Sequence, residues 1–191
     1  MRTQILLSVL FILFFISTSF SQKDTIWYNS SWKQADKKEA SYYRSETSKK
    51  GDAYWIVDNY LNGVKQMEGL SLDPVNDIYQ GKIIWYFQNG NKFQVAHYQD
   101  GILNGHLKVY FENGKLKSET EYIEGKQDGK WKEHYENGNL KETGFFEKGQ
   151  KNGSWTTYYT NGKINQEGKY SLDKKIGVWK TNYYDGATQK N

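Results

Sequence analysis

From Ile83 to Tyr183, apolar and polar side chains alternate with a period of two inside a longer period of 24 residues. Alternation of this kind describes a half-buried β-strand, because successive side chains point to opposite faces. Glycine marks the longer period. Gly81, Gly105, Gly129, Gly153 and Gly177 stand 24 apart, and a second glycine follows each of them nine residues on, at Gly90, Gly114, Gly138, Gly162 and Gly186. Asn89, Asn113, Asn137, Asn161 and Asp185 precede the second set. An Asn-Gly pair between two aromatic runs is a hairpin signal, since a two-residue type I′ turn needs positive φ at both central residues. Tips are therefore predicted at Asn113-Gly114, Asn137-Gly138 and Asn161-Gly162. A degenerate earlier copy has Asn62-Gly63, set off by a longer link at residues 71–77.

A two-residue tip fixes the pairing. Trp131 faces Gly144, Glu133 faces Glu142 and Tyr135 faces Leu140, while Trp155 faces Gly168 and Tyr159 faces Ile164. The predicted core face then carries Ile83, Leu107, Trp131, Trp155 and Trp179. It also carries Phe87, Phe111, Tyr135, Tyr159 and Tyr183, with Leu116, Leu140 and Ile164 from the return strands. A small residue opposite each Trp would make room for the indole. One row fits poorly, because it sets Glu133 against Glu142 on the apolar side.

Short turn-rich stretches at 125–129 and 149–153 join each hairpin to the next. The sequence thus predicts an all-β fold: an elongated, twisted antiparallel meander of stacked β-hairpin repeats in a single sheet. About six repeats span residues 53–188, the first degenerate and the last incomplete. Residues 22–52 lack the repeat and read as an N-terminal β cap, with short strands at 25–28 and 41–44. One hairpin cannot bury its apolar face, so neighbours must stack.

The first 21 residues have a different pattern. A short basic start precedes a twelve-residue apolar run, Ile5 to Ile16, and small residues follow up to Ser21. This reads as a secretory signal peptide cleaved near Ser21-Gln22, and the run is short for a membrane span. Export to the periplasm, outer envelope or exterior is expected, with no transmembrane segment in the mature chain. The chain has no cysteine, so packing alone must hold it.

Charge changes little. The formal net charge is +4, and lysines and acids alternate instead of forming blocks. Arg44 is the only arginine after the signal peptide. Nucleic acid is not an expected partner, because phosphate sites favour arginine. His97, His106 and His134 have no metal-ligand spacing, and no nucleophile motif occurs. No catalytic residue, metal or cofactor is expected. The functional candidate is a second aromatic stripe, Tyr86, Tyr110, His134 and Tyr158, one residue before each core-face aromatic. As a ladder of rings on the opposite face it would dock a protein strand, a glycan or a lipid head group.

The run Gly129-Lys130-Trp131-Lys132-Glu133-His134-Tyr135-Glu136-Asn137-Gly138-Asn139-Leu140 resembles the MORN repeat variant, as does Gly153-Ser154-Trp155-Thr156-Thr157-Tyr158-Tyr159-Thr160-Asn161-Gly162-Lys163-Ile164. Glu167-Gly168-Lys169-Tyr170 supplies the second half of the pattern. The resemblance covers about residues 54 to 188. It implies stacked hairpins and a protein-binding or scaffold role, with membrane association in some eukaryotic members. Bacterial proteins with this variant are often grouped as YwqK-type antitoxins, which are taken to bind and neutralise a toxin. The same W-x-x-Y-Y-x-N-G run is also similar to choline- and glucan-binding repeats, which implies cell-wall or carbohydrate binding as the alternative. Dimerisation would cover an open aromatic face.

Overall fold

A computed structural model describes residues 25–185 and shows one antiparallel sheet of 14 strands, in which order in the sheet follows order in the chain. The cap supplies β1 (Ile26–Tyr28), a single 3-10 turn (Lys37–Glu39) and β2 (Tyr42–Lys50). The first hairpin is β3 (Ala53–Tyr60) with β4 (Lys65–Ser71). The regular repeats begin with β5 (Tyr79–Tyr86) and β6 (Lys92–Gln99), then β7 (Ile102–Tyr110) and β8 (Leu116–Ile123). A two-residue strand, β9 (Lys126–Gln127), pairs with β8 just ahead of β10 (Gly129–His134) and β11 (Leu140–Glu147). After β12 (Gln150–Tyr158) and β13 (Ile164–Ser171), β14 (Lys174–Thr181) ends the sheet. The expected signal peptide lies outside the described residues. Strand β2 is longer than the sequence suggested, pairing with β3 from Tyr42 to Lys50.

The body of each hairpin has the expected register, with Trp131 opposite Gly144, Glu133 opposite Glu142 and Trp155 opposite Gly168. The tip does not. The Tyr135 N–H donates to the Asn139 carbonyl at 2.8 Å, and the Gly138 N–H donates back to the Tyr135 carbonyl at 2.8 Å. The loop is therefore three residues, and only its glycine has positive φ, 98° at Gly138. None of Asn113, Asn137 and Asn161 takes positive φ, so the type I′ expectation for these tips is wrong. A type I turn closed by a left-handed glycine bulge matches strand twist equally well. One bulged residue per return strand, Lys141 in this hairpin, restores the body register. In consequence Leu140 lies opposite His134 and Ile164 opposite Tyr158, not opposite Tyr135 and Tyr159.

Type I′ geometry occurs instead at the links. Asp100-Gly101, Glu124-Gly125, Lys148-Gly149 and Leu172-Asp173 each have both φ values positive. Each is a two-residue loop between paired strand ends, such as Glu147 and Gln150. The tip asparagines have a different task. Oδ1 of Asn137 accepts the Asn139 N–H at 3.0 Å, and its Nδ2 donates to the Thr160 carbonyl of the next tip at 3.0 Å. Asn161 repeats this with Lys163 and the Tyr184 carbonyl. Asparagine is needed because one group must accept within its own loop and donate to the neighbour.

The core has two parts. Near the cap, Ile56, Met67 and Ile83 are fully buried, with Tyr54, Tyr79, Trp85 and Tyr98 packed on them. Farther along, one continuous aromatic row runs Trp131, Phe146, Trp155, Tyr170, Trp179, each ring edge-on to the next at 5.0–6.0 Å between centroids. Such contacts favour the ring quadrupoles. Trp131 and Trp179 are half-buried, and Trp155 is 1% exposed. Tyr183, expected in the core, is 56% exposed, and Ile164 lies at the surface. No hairpin follows β14 to cover Tyr183 among the described residues.

The glycines opposite Trp accommodate an indole, but that of the following hairpin. A Cβ on Gly144 would overlap the ring of Trp155, and one on Gly168 the ring of Trp179. Neither glycine has positive φ, so the obstacle is steric alone. Gly144→Ala is expected to cost about 1–3 kcal/mol, read by urea denaturation, as overpacking does. A neutral result would mean that Trp155 does not rest on this strand. The Glu133–Glu142 row is also resolved: Lys141 pairs with Glu133 at 2.9 Å, and Lys151 with Glu142 at 3.0 Å. Lys151 Nζ also sits 3.9 Å from the Trp155 ring centre, so its charge serves a carboxylate and an indole together.

Candidate functional site

The segments that break the repeat meet at one place. Arg44 of β2 is buried and makes four hydrogen bonds through its guanidinium. Nε and Nη2 donate to the two carboxylate oxygens of Asp58 at 2.7 and 2.8 Å. Nη1 donates to the Pro74 carbonyl at 2.6 Å, and Nη2 also to Asp77 at 2.7 Å. The off-period link at 71–77 is thus fastened to the cap and to β3 by a single side chain. Burial opposes the Arg44 charge, but the bonds and proximity to Asp58 and Asp77 outweigh it and raise its pKa. Burial, then the charge of Asp77, pushes the nearby Tyr79 hydroxyl well above its ordinary value.

Above this ion network lies a recess of about 270 Å³. Trp32 of the cap, Asp77 of the link, and Gln66, Tyr79 and Trp85 of the sheet line it, with Asp58 and Met67 deeper. Seven non-glycine residues among those described have positive φ. Five sit in the type I′ links; the other two are Trp32 and Asp77. A bulky residue in this region is held there by its surroundings. For Trp32 the support is an Asn29 turn, with Oδ1 accepting the N–H groups of Ser31 and Lys33.

The two edges of the sheet differ. On β1 the cap folds back: the Ala35 N–H donates to the Trp27 carbonyl at 3.0 Å, and Gln34 bridges Tyr28. On β14 no strand pairs with the outer side among the described residues. Alignment on the 24-residue period shows a change of character there. Gln80, Asn104, Asp128 and Asn152 correspond to Ile176, and Lys82, His106, Lys130 and Ser154 correspond to Val178. Two positions that are polar in every interior copy are apolar in the terminal strand. Val178 is 84% exposed and Ile176 45%. Lys174, Lys175 and Lys180 flank them.

The predicted stripe is less open than a ladder of free rings. Tyr86, Tyr110, His134 and Tyr158 are all half-buried. Tyr86 donates to Glu68 of the preceding hairpin, and Tyr110, His134 and Tyr158 stand opposite Leu116, Leu140 and Ile164. Sequence reasoning did not find the recess or the apolar edge. For the recess the signals were a lone arginine in a lysine-rich chain and an off-period link. For the edge, aligning the copies by position would have sufficed. No helix among the described residues is long and apolar enough to cross a membrane.

Four consecutive segments, residues 79–100, 103–124, 127–148 and 151–171, match the MORN repeat variant. These segments coincide with the four regular hairpin units from β5 to β13. No curated protein matches the chain.

Proposed function

From a body of four tandem MORN-variant repeats, we propose that the chain is an exported, non-catalytic binding module that receives an extended protein strand on the outer edge of β14. The observation that carries this reading is the replacement of polar by apolar residues at Ile176 and Val178, confined to the strand whose outer side has no partner among the described residues. Open edges are templates for another chain, and proteins that do not use them cover them, as this one does at β1. The incoming strand is acidic. The interior return strand β8 brings a carboxylate to the outgoing strand before it, Glu119 to Lys108 at 3.6 Å. Lys180 meets Glu167 at 3.7 Å on its inner side, and an acidic strand would supply the outer one. In a symmetric antiparallel pair of two β14 strands centred on Gly177, Lys174 and Lys180 would face each other, which opposes self-pairing in that register. The antitoxin reading is the case in which the acidic strand belongs to a toxin.

The test is affinity capture from envelope and extracellular fractions with the wild type and with an Ile176→Lys/Val178→Lys double variant. Both positions are exposed, so thermal stability should hold within a small margin. The expected result is a protein captured by the wild type and lost with the variant. Equal capture by both refutes the edge. Loss with Tyr110→Ala/Tyr158→Ala instead, together with binding to a glycan array, would transfer the function to the predicted stripe.

A further inference from the structure

The recess between cap, link and first hairpins has features that the repeat does not need. It is walled by three aromatic side chains, Trp32, Tyr79 and Trp85. The edge-on geometry of Tyr79 and Trp85, 5.7 Å between centroids at 81°, sets two ring planes at a corner. Two carboxylates share one guanidinium, so one negative charge is left uncompensated in the network. The charge is nearest the opening at Asp77, whose side chain is 29% exposed and whose second oxygen has no hydrogen bond among the described residues. Gln66 Oε1 is buried and has no hydrogen-bond partner among the described residues. A buried acceptor without a donor is uncommon in folded proteins and calls for an explanation.

We propose that this recess binds a primary alkylammonium group, the chemical class of a lysine side-chain terminus or of a free amine. Each feature finds its complement in that group. The aromatic faces attract the cation. Asp77 supplies the opposite charge, and an N–H of the ammonium satisfies Gln66 Oε1. The alkyl stem lies against Met67 and the rings. A quaternary ammonium has no N–H for Gln66, and an inorganic cation would leave the rings unused. The volume, just below the range of drug-sized sites, suits a ligand of side-chain size. The recess is at the opposite end of the sheet from β14 and is independent of the edge.

The experiment is an NMR titration of the intact mature chain, following the indole N–H signals of Trp32 and Trp85. n-Butylammonium is expected to shift both signals saturably, whereas n-butanol at the same concentrations leaves them unmoved. Asp77→Asn retains an oxygen for Arg44 and removes the charge; Gln66→Leu removes the acceptor. Each is expected to weaken binding by about tenfold or more, with the rest of the spectrum unchanged. A short lysine-containing peptide that binds more tightly than n-butylammonium assigns the group to a protein partner; weaker binding assigns it to a free amine. Equal binding of n-butanol, or of tetramethylammonium, would overturn the proposal, as would full affinity in Asp77→Asn.

Discussion

Trp155→Ala is expected to lower the stability of the sheet by about 3–5 kcal/mol, the range for truncating a buried large aromatic. Trp155 makes its contacts on both sides. Phe146 of the preceding hairpin meets it edge-on at 5.2 Å, and Tyr170 of its own hairpin at 5.7 Å. Its Nε1 donates to the Phe145 carbonyl at 3.2 Å, and Lys151 lies over its face. Removal leaves a gap between two hairpins, and among the described residues no second layer lies over it to collapse into the space. In a repeat array each unit contacts only its neighbours, so the loss should appear as earlier unfolding of the units around β11 to β13. Hydrogen exchange resolved by residue, with urea denaturation, checks both size and place. The Gly144→Ala penalty should largely vanish in the Trp155→Ala background, because the clash partner is gone; such non-additivity is expected of residues in contact. A loss below about 1 kcal/mol, typical of a surface position, would refute the assignment of Trp155 to the core row.

The period of 24 made the sheet, the meander and the body register legible, because glycine spacing and alternation act locally and repeat without interruption from Gly81 onward. What it did not reveal were features that depend on two loops at once. Asn-Gly was read as a type I′ tip, yet Asn137 is selected by a bond to the next tip at Thr160, which no single hairpin contains. The same holds for Gly144, whose missing side chain serves Trp155 of the following unit. Tyr183 was assigned by its place in the period, and among the described residues no further hairpin follows to bury that place. The Arg44 network joins residues 14 to 33 apart in sequence and has no repeat to display it. Ile176 and Val178 were visible in the sequence but fell on positions that the repeat treats as solvent-facing, where an apolar residue attracts no notice until copies are compared.

Arg44→Leu is expected to be as damaging as the loss of Trp155, about 3–5 kcal/mol, because it strands a fully buried Asp58 without its cation. Truncation also frees the Pro74 carbonyl and Asp77, so the link at 71–77 should lose protection in hydrogen exchange while β12 to β14 keep theirs. Arg44→Lys should rescue little, since an ammonium cannot reproduce the two-point contact with Asp58 and still reach the link. Replacing the pair together, Arg44→Leu with Asp58→Leu, should recover part of the loss, because an apolar pair carries no unpaired charge. The pH dependence supplies an independent check. Burial already raises Asp58, against the pull of Arg44. In Arg44→Leu only burial and the Asp77 charge remain, so the folded-state pKa of Asp58 rises further above its unfolded value. A group raised in the folded state contributes most below its unfolded pKa and loses that contribution as pH climbs through the folded value. The gap between Arg44→Leu and wild type should therefore be widest near neutrality and narrow on acidification, as Asp58 takes a proton in the variant. A gap that is constant with pH, or a loss below about 1 kcal/mol, would show that Arg44 is not what keeps Asp58 buried and the link in place.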